Sequence, residues 1–235
     1  MNQKLKTGVL FIHGFTGGPF EVRPFANYLK RKTDWQISVP TLPGHGIMLN
    51  LRNSSADSWL MEAELALKKL QKEVDRVIVV GFSMGGLIAM YLALRYKIDK
   101  LVLLSAAAKY ISPRILMKDL GIMLARPFTK RYPPNTFYHI YEYKLAHTPF
   151  LTTFEFLRVV KIIEPYYHLI KIPVCIVQGG RDGIVPSATA DHLLKKLGSE
   201  KKEYIKSPLG KHHICYSDDC DNWFNEVLRF MRDDG

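Results

Sequence analysis

Ser83 is the residue whose surroundings most suggest chemistry. In "VIVVGFSMGGLIAM" (77–90) an apolar, β-branched run enters a glycine, then a serine between glycines, then apolar residues at helical spacing. Gly81-Phe82-Ser83-Met84-Gly85 thus has the G-x-S-x-G form of a nucleophile elbow, with a strand before it and a helix after it. The glycines have a physical reason, since a serine held in a strained turn draws neighbouring backbone too close for flanking side chains. A serine hydroxyl reacts only if a base takes its proton and an acid orients that base. The chain order expected of such an elbow is serine, aspartate, histidine. "VCIVQGGRDGIVP" supplies Asp182 just past a strand, in a glycine-flanked turn.

Two adjacent histidines, His212 and His213 in "KSPLGKHHICYSDD", compete to be the base. His13 and His45 precede the acid, His139, His147 and His168 fall in an irregular middle segment, and His192 lies on a surface helix. Only local pattern separates the adjacent pair. His213 runs directly into "ICYSDD" and the last helix, and is the expected base. Acyl transfer also needs donors for a developing oxyanion. The Met84 amide lies at a helix N-terminus, and the turn "HGFTGG" (13–18) can aim the Phe15 amide at the same point. His13 reads as a buried structural histidine bonded to backbone, and His45 in "LPGHG" (42–46) as structural in a tight loop beside the site.

The elements that must position these residues alternate along the chain. "GVLFIHG", "WQISVP", "RVIVVG", "KLVLLSAA", "IPVCIVQGG" and "KEYIKS" read as strands. Helices are expected in "GGPFEVRPFANYLKRK", entered through Gly18 and Pro19, in "WLMEAELALKKLQKEV", capped by Asp57 or Ser58, and in "MGGLIAMYLALRY", "SATADHLLKKLG" and "NWFNEVLRFM". Short apolar strands alternating with helices imply a parallel sheet covered on both faces. Residues 107–171 break the rhythm, with prolines, many aromatics and a helical patch at Phe154–Ile163. They leave the sheet at the carboxyl end of a strand, where ligands bind in open α/β sheets, so a helical cap is expected there. Leu116, Leu120, Phe137, Phe150 and Phe154 are its candidate acyl-pocket residues.

Composition bounds the rest. The 235 residues, 47% hydrophobic and 23% charged, suit one domain, taken as 1–235. Val9–Ile12 is too short for the roughly 7–15-residue core of a signal peptide, so a cytoplasmic location is expected. Cys175, Cys215 and Cys220 are odd in number and lack C-x-x-C spacing, which indicates neither a disulfide framework nor a zinc site. The net charge of +11 is spread over many short stretches and reads first as solubility. Its functional alternatives are contact with an anionic membrane surface or with acyl-CoA; no pattern supports nucleic acid.

Taken in order, "HGFTGG", "LPGHG", "GFSMGG", "GGRDGIVP" and the late histidine closely resemble the α/β-hydrolase family. Within it the chain is similar to small bacterial carboxylesterases and monoacylglycerol lipases. The resemblance covers most of the chain outside 107–171. It implies a mostly parallel sheet with helices on both faces, a helical cap inserted between two late strands, and cofactor-free ester hydrolysis. It also implies Ser83, Asp182 and His213 as triad, with Phe15 and Met84 as oxyanion donors. The expected substrate is a small acyl ester of short to medium chain, monoacylglycerols included. A thioesterase and a non-catalytic, hydrolase-like receptor are the alternatives. The chain departs from the family in having about seven residues before its first strand, and in its doubled histidine.

Overall fold

The computed structural model describes residues 5–108 and 150–233. Six parallel strands form one sheet in the order β2-β1-β3-β4-β5-β6. They are β1 (Thr7–Ile12), β2 (Gln36–Ser38), β3 (Arg76–Phe82), β4 (Lys100–Leu104), β5 (Val174–Gly179) and β6 (Lys202–Ser207). The described helices are α1 (Arg23–Lys32), α2 (Ala56–Gln71), α3 (Met84–Arg95), α4 (Phe150–Ile163), α5 (Ala188–Lys196) and α6 (Cys220–Arg232).

The central strands β1, β3, β4 and β5 are mostly apolar because the sheet is buried on both sides there. The edge strands β2 and β6 are partly exposed. Successive residues alternate between two cores. Leu10, Ile12, Val79, Leu103 and Ile176 pack with α2, α3, α4 and α5. Val9, Phe11, Val80, Val102 and Val177 pack with Phe25 and Leu29 of α1 and with Trp223, Phe224 and Val227 of α6. Strand order reverses between β1 and β3, so the crevice of this sheet opens beyond their carboxyl ends.

The helix boundaries correct two expectations. Gly18 and Pro19 open a short 3-10 turn, Pro19–Glu21, and α1 begins only at Arg23. The N-cap of α2 is Ser55, not Asp57 or Ser58. Ser58 sits three residues into the helix and closes a reciprocal box, its amide donating to Ser55 Oγ (3.2 Å) and its own Oγ accepting the Ser55 amide (3.0 Å). Helix α4 fastens to the same helix end: Glu155 accepts the Ala56 amide at 2.8 Å, and Arg158 pairs with Asp57 at 2.8 Å.

Of the expected 107–171 insertion, residues 109–149 lie outside the described residues, and with them Leu116, Leu120, Phe137, His139 and His147. The side chain of Phe150 is also outside them. The last part is integral to the body. Phe156, Val159, Val160 and Ile163 of α4, with Tyr167 and Ile170 beyond it, join the core against α2 and α3. Phe154 faces outward, half exposed.

Helices of a βα sheet run opposite to the strands, so their negative, carbonyl-rich ends gather at the amino ends of the strands. Two lysines meet them. Lys100, buried at the start of β4, donates to the carbonyls of Phe230 (2.6 Å) and Asp233 at the end of α6. Lys202 donates to Leu194 (2.6 Å) and Leu197 (3.1 Å) at the end of α5. Among the described residues no helix is long and apolar enough to cross a membrane.

Candidate active site

Ser83 stands between β3 and α3 with φ 52° and ψ −117°, a conformation that L-residues rarely adopt. Its amide donates to Leu104 O (3.0 Å), and its carbonyl accepts from Gly86 (3.0 Å) and Ala107 (3.2 Å), which pins the turn to the end of β4. A Cβ at Gly81 would lie 2.2 Å from Gly85 O, and one at Gly85 would lie 2.2 Å from Ile12 O. The flanking glycines are therefore forced by backbone contact. Met84 is the first residue of α3, so its amide belongs to a turn without intrahelical acceptors.

The imidazole beside this serine belongs to His212, and the expectation of His213 is corrected. His212 Nε2 lies 3.2 Å from Ser83 Oγ, and His212 Nδ1 lies 3.0 Å from Asp182 Oδ2. A carboxylate only accepts, so Nδ1 carries the hydrogen and Nε2 is left to accept from the serine. His213 turns elsewhere, its ring at 81° to that of His212 and its Nε2 3.3 Å from Glu21 Oε1. Phe82 packs against both rings, with centroids 5.0 and 5.6 Å away.

Asp182 is where the sequence places it, in the turn after β5. Its Oδ1 accepts the amides of Ile184 (2.9 Å) and Val185 (2.8 Å), and Oδ2 accepts from Gln178 Nε2 at 3.3 Å as well as from His212. Burial would raise its pKa. The hydrogen bond and charge of His212, with the two amides, outweigh that and hold it below the usual carboxylate range. Gln178, itself buried, also donates to Val185 O at 3.0 Å and so braces the turn.

The Gly14–Gly17 turn closes on itself through Gly17 N to Gly14 O (3.2 Å) and is tied to the "LPGHG" loop by Gly46 N to Gly17 O (2.9 Å). His13 is fully buried, as expected. Its Nδ1 meets Gly14 O at 2.9 Å and its Nε2 accepts the Leu42 amide at 3.0 Å, which fixes a neutral tautomer. His45 Nδ1 donates to Pro43 O at 3.0 Å. The Phe15 ring is anchored by Phe156 (stacked, 5.5 Å) and Trp59 (edge-on, 5.8 Å).

Two functional neighbours escaped the sequence reading. Gln178 had a signal, being the one polar side chain in an otherwise apolar strand. Glu21 had a weaker one, a single carboxylate just after a glycine-rich turn. Burial pushes the thiols of Cys175 and Cys215 upward, so neither is a thiolate nucleophile. Among the described residues no three His, Cys, Asp or Glu side chains converge as metal ligands.

The family model described as serine aminopeptidase, S33 (Hydrolase_4) matches residues 3–219. The chain belongs to this family. A thermostable monoacylglycerol lipase of Bacillus sp. (strain H-257) is 26% identical over 212 residues, covering 85% of this chain and 80% of the lipase. A carboxylesterase of Bacillus subtilis (strain 168) is 21% identical over 228 residues, covering 95% and 91%. Among solved structures, a metagenome-derived lipolytic enzyme superposes with a TM-score of 0.76 at 23% identity, over 97% of this chain and 94% of the other. The monoacylglycerol lipase of Paleococcus ferrophilus gives 0.71 at 17%, over 95% and 93%. These superpositions establish the α/β-hydrolase fold for this chain.

Proposed function

We propose that this hydrolase of the lipase and esterase type cleaves small carboxylic esters of short to medium acyl chain, monoacylglycerols among them, through an acyl-enzyme. The observation that carries the reading is the unbroken line Ser83–His212–Asp182, with the serine on a strained elbow and the imidazole tautomer set by its partners.

In this mechanism His212 Nε2 takes the proton of Ser83 Oγ as Oγ attacks the ester carbonyl. The Met84 and Phe15 amides stabilise the tetrahedral oxyanion. His212, now protonated on both nitrogens, gives its new proton to the departing alkoxide, and the C–O bond breaks to leave acyl-Ser83. Water, deprotonated by His212, then attacks the acyl carbon and releases the carboxylic acid, restoring Ser83. Asp182 stays ionised throughout, holding the ring and stabilising its cation. Its lowered pKa supports that role.

The test is hydrolysis of p-nitrophenyl esters from acetate to palmitate, of monoacylglycerols and of acyl-CoAs, with Ser83→Ala as control. Turnover that peaks at one ester length and vanishes in the variant is the expected result. Preference for acyl-CoA would make the protein a thioesterase, and absence of any Ser83-dependent turnover would overturn the hydrolase mechanism.

A further inference from the structure

The Ser83–His212–Asp182 line leaves Glu21 and His213 without a task. Glu21 ends the 3-10 turn that follows the glycine-rich loop, and only 1% of its surface is exposed. Its Oε2 accepts the Gly14 amide at 2.9 Å and its Oε1 meets His213 at 3.3 Å. A Cβ at Gly17 would stand 1.8 Å from Oε2, and one at Gly14 would stand 3.2 Å from it. The loop from 14 to 17 is thus wrapped around a carboxyl group. Burial alone would raise that carboxyl's pKa. The hydrogen bonds from His213 and the Gly14 amide overcome burial and keep it below the ordinary range.

Phe15 follows the clamped Gly14 and precedes Thr16, which stands at φ 58° with its Oγ1 donating to Phe15 O at 2.7 Å. The direction of the Phe15 amide is therefore set by the residues that the carboxylate holds. We propose, resting on the esterase reading above, that Glu21, held by His213, is a positioning residue that aims the Phe15 amide at the oxyanion formed on Ser83. The pair also couples the two halves of the site. His213 is joined to His212 by one peptide bond, so the His213–Glu21 hydrogen bond ties the oxyanion loop to the base loop. The N–H that His213 donates to Glu21 also partly offsets a carboxylate charge that would otherwise oppose the developing oxyanion.

The experiment compares Glu21→Ala, Glu21→Gln and His213→Gln on a p-nitrophenyl ester that the unsubstituted protein hydrolyses. Each is also titrated with a trifluoromethyl ketone, whose serine adduct carries the same oxyanion. Glu21→Ala is expected to lose roughly 100-fold in kcat, the effect of one displaced oxyanion donor, with KM changed less than about 3-fold. Its affinity for the ketone should fall by a similar factor. Glu21→Gln still accepts the Gly14 amide, and it and His213→Gln should each lose about 10-fold in both quantities. Hydrogen exchange across 13–18 should quicken in all three variants. Unchanged kcat and ketone affinity in Glu21→Gln and His213→Gln overturn the proposal even if Glu21→Ala fails to fold. So does a loss carried wholly by KM. An unsubstituted protein without Ser83-dependent turnover overturns the esterase reading and this role with it. Ser83-dependent turnover that is indifferent to Glu21 and His213 overturns this role alone.

Discussion

The two ends of the sheet do opposite things with the same helices. At the carboxyl ends of the strands, helix N-termini point inward, the serine is strained, glycines are forced by backbone contact, and two buried carboxylates each hold an imidazole. At the amino ends the helix C-termini collect, and lysines neutralise them through plain carbonyl contacts. A cleft of about 840 Å3 at that end, lined by Leu5, Arg31, Trp35, Arg76 and Arg232 among others, contains none of the site residues. Reactivity and stability are thus separated along the strand direction, with the positive helix ends assigned to one and the negative ends to the other. That division predicts which substitutions change turnover and which change only folding.

The largest effect belongs to the two histidines. His212→Ala should lower kcat by about 10⁴-fold or more, as loss of a triad base does. His213→Ala should cost at least about 100-fold less, within the range of a displaced oxyanion donor. Steady-state kinetics on one p-nitrophenyl ester ranks them, and the reverse order would restore the assignment drawn from sequence. Next comes Gly85→Ala, whose Cβ would meet Ile12 O at 2.2 Å. A clash with backbone rather than side chain should cost about 3 kcal/mol or more in urea unfolding and remove activity with it.

At the opposite end Lys100→Met should cost about 1–3 kcal/mol by leaving the last carbonyls of α6 without their donor. Its kcat should stay within about 2-fold of the unsubstituted protein, since Lys100 lies at the opposite end of the strands from Ser83. A large fall in kcat without loss of stability would break the division between the two ends. The smallest effect is on pH dependence. Asp182 and Glu21 both have lowered pKa values in the folded protein. Their stabilising contribution is complete above the unfolded values of about 4 and is lost as pH falls through the lower folded values. Melting temperature should therefore drop on acidification below about pH 4, and Glu21→Gln should flatten that drop. An equally steep profile in the variant would remove Glu21 from the account.

The fold was readable because each local signal was strong and agreed with its neighbours. All six strands lie where the sequence reading places them, and the central four, buried on both faces, have no polar alternation to confuse the pattern. The elbow was readable for a similar reason, since its glycines, strand and helix are contiguous. The choice of base was not. His212 and His213 differ by one position, and what separates them is the location of Asp182, 30 residues from His212, and of Glu21, 192 residues from His213. No local pattern contains that information. The Ser55 cap was missed on chemical grounds, because the box closes with a serine hydroxyl where a longer acidic or amide side chain is the usual signal. Glu21 meets His213 from 192 residues away and Gln178 acts through the shape of the turn after β5, so their residue types alone could only mark them as out of place.

The chain separation between nucleophile and base has a consequence for biosynthesis. Ser83 Oγ and His212 Nε2 meet across 129 residues. A nascent polypeptide emerging from the ribosome presents β3, the elbow and α3 long before the strand that delivers the imidazole has been translated. On the proposed mechanism the serine lacks its base through that interval and is an ordinary alcohol. By the same mechanism, competence waits until β6 pairs with β5 and the loop after it brings His212 to Ser83. Turnover, on that mechanism, reports on completion of the sheet out to β6.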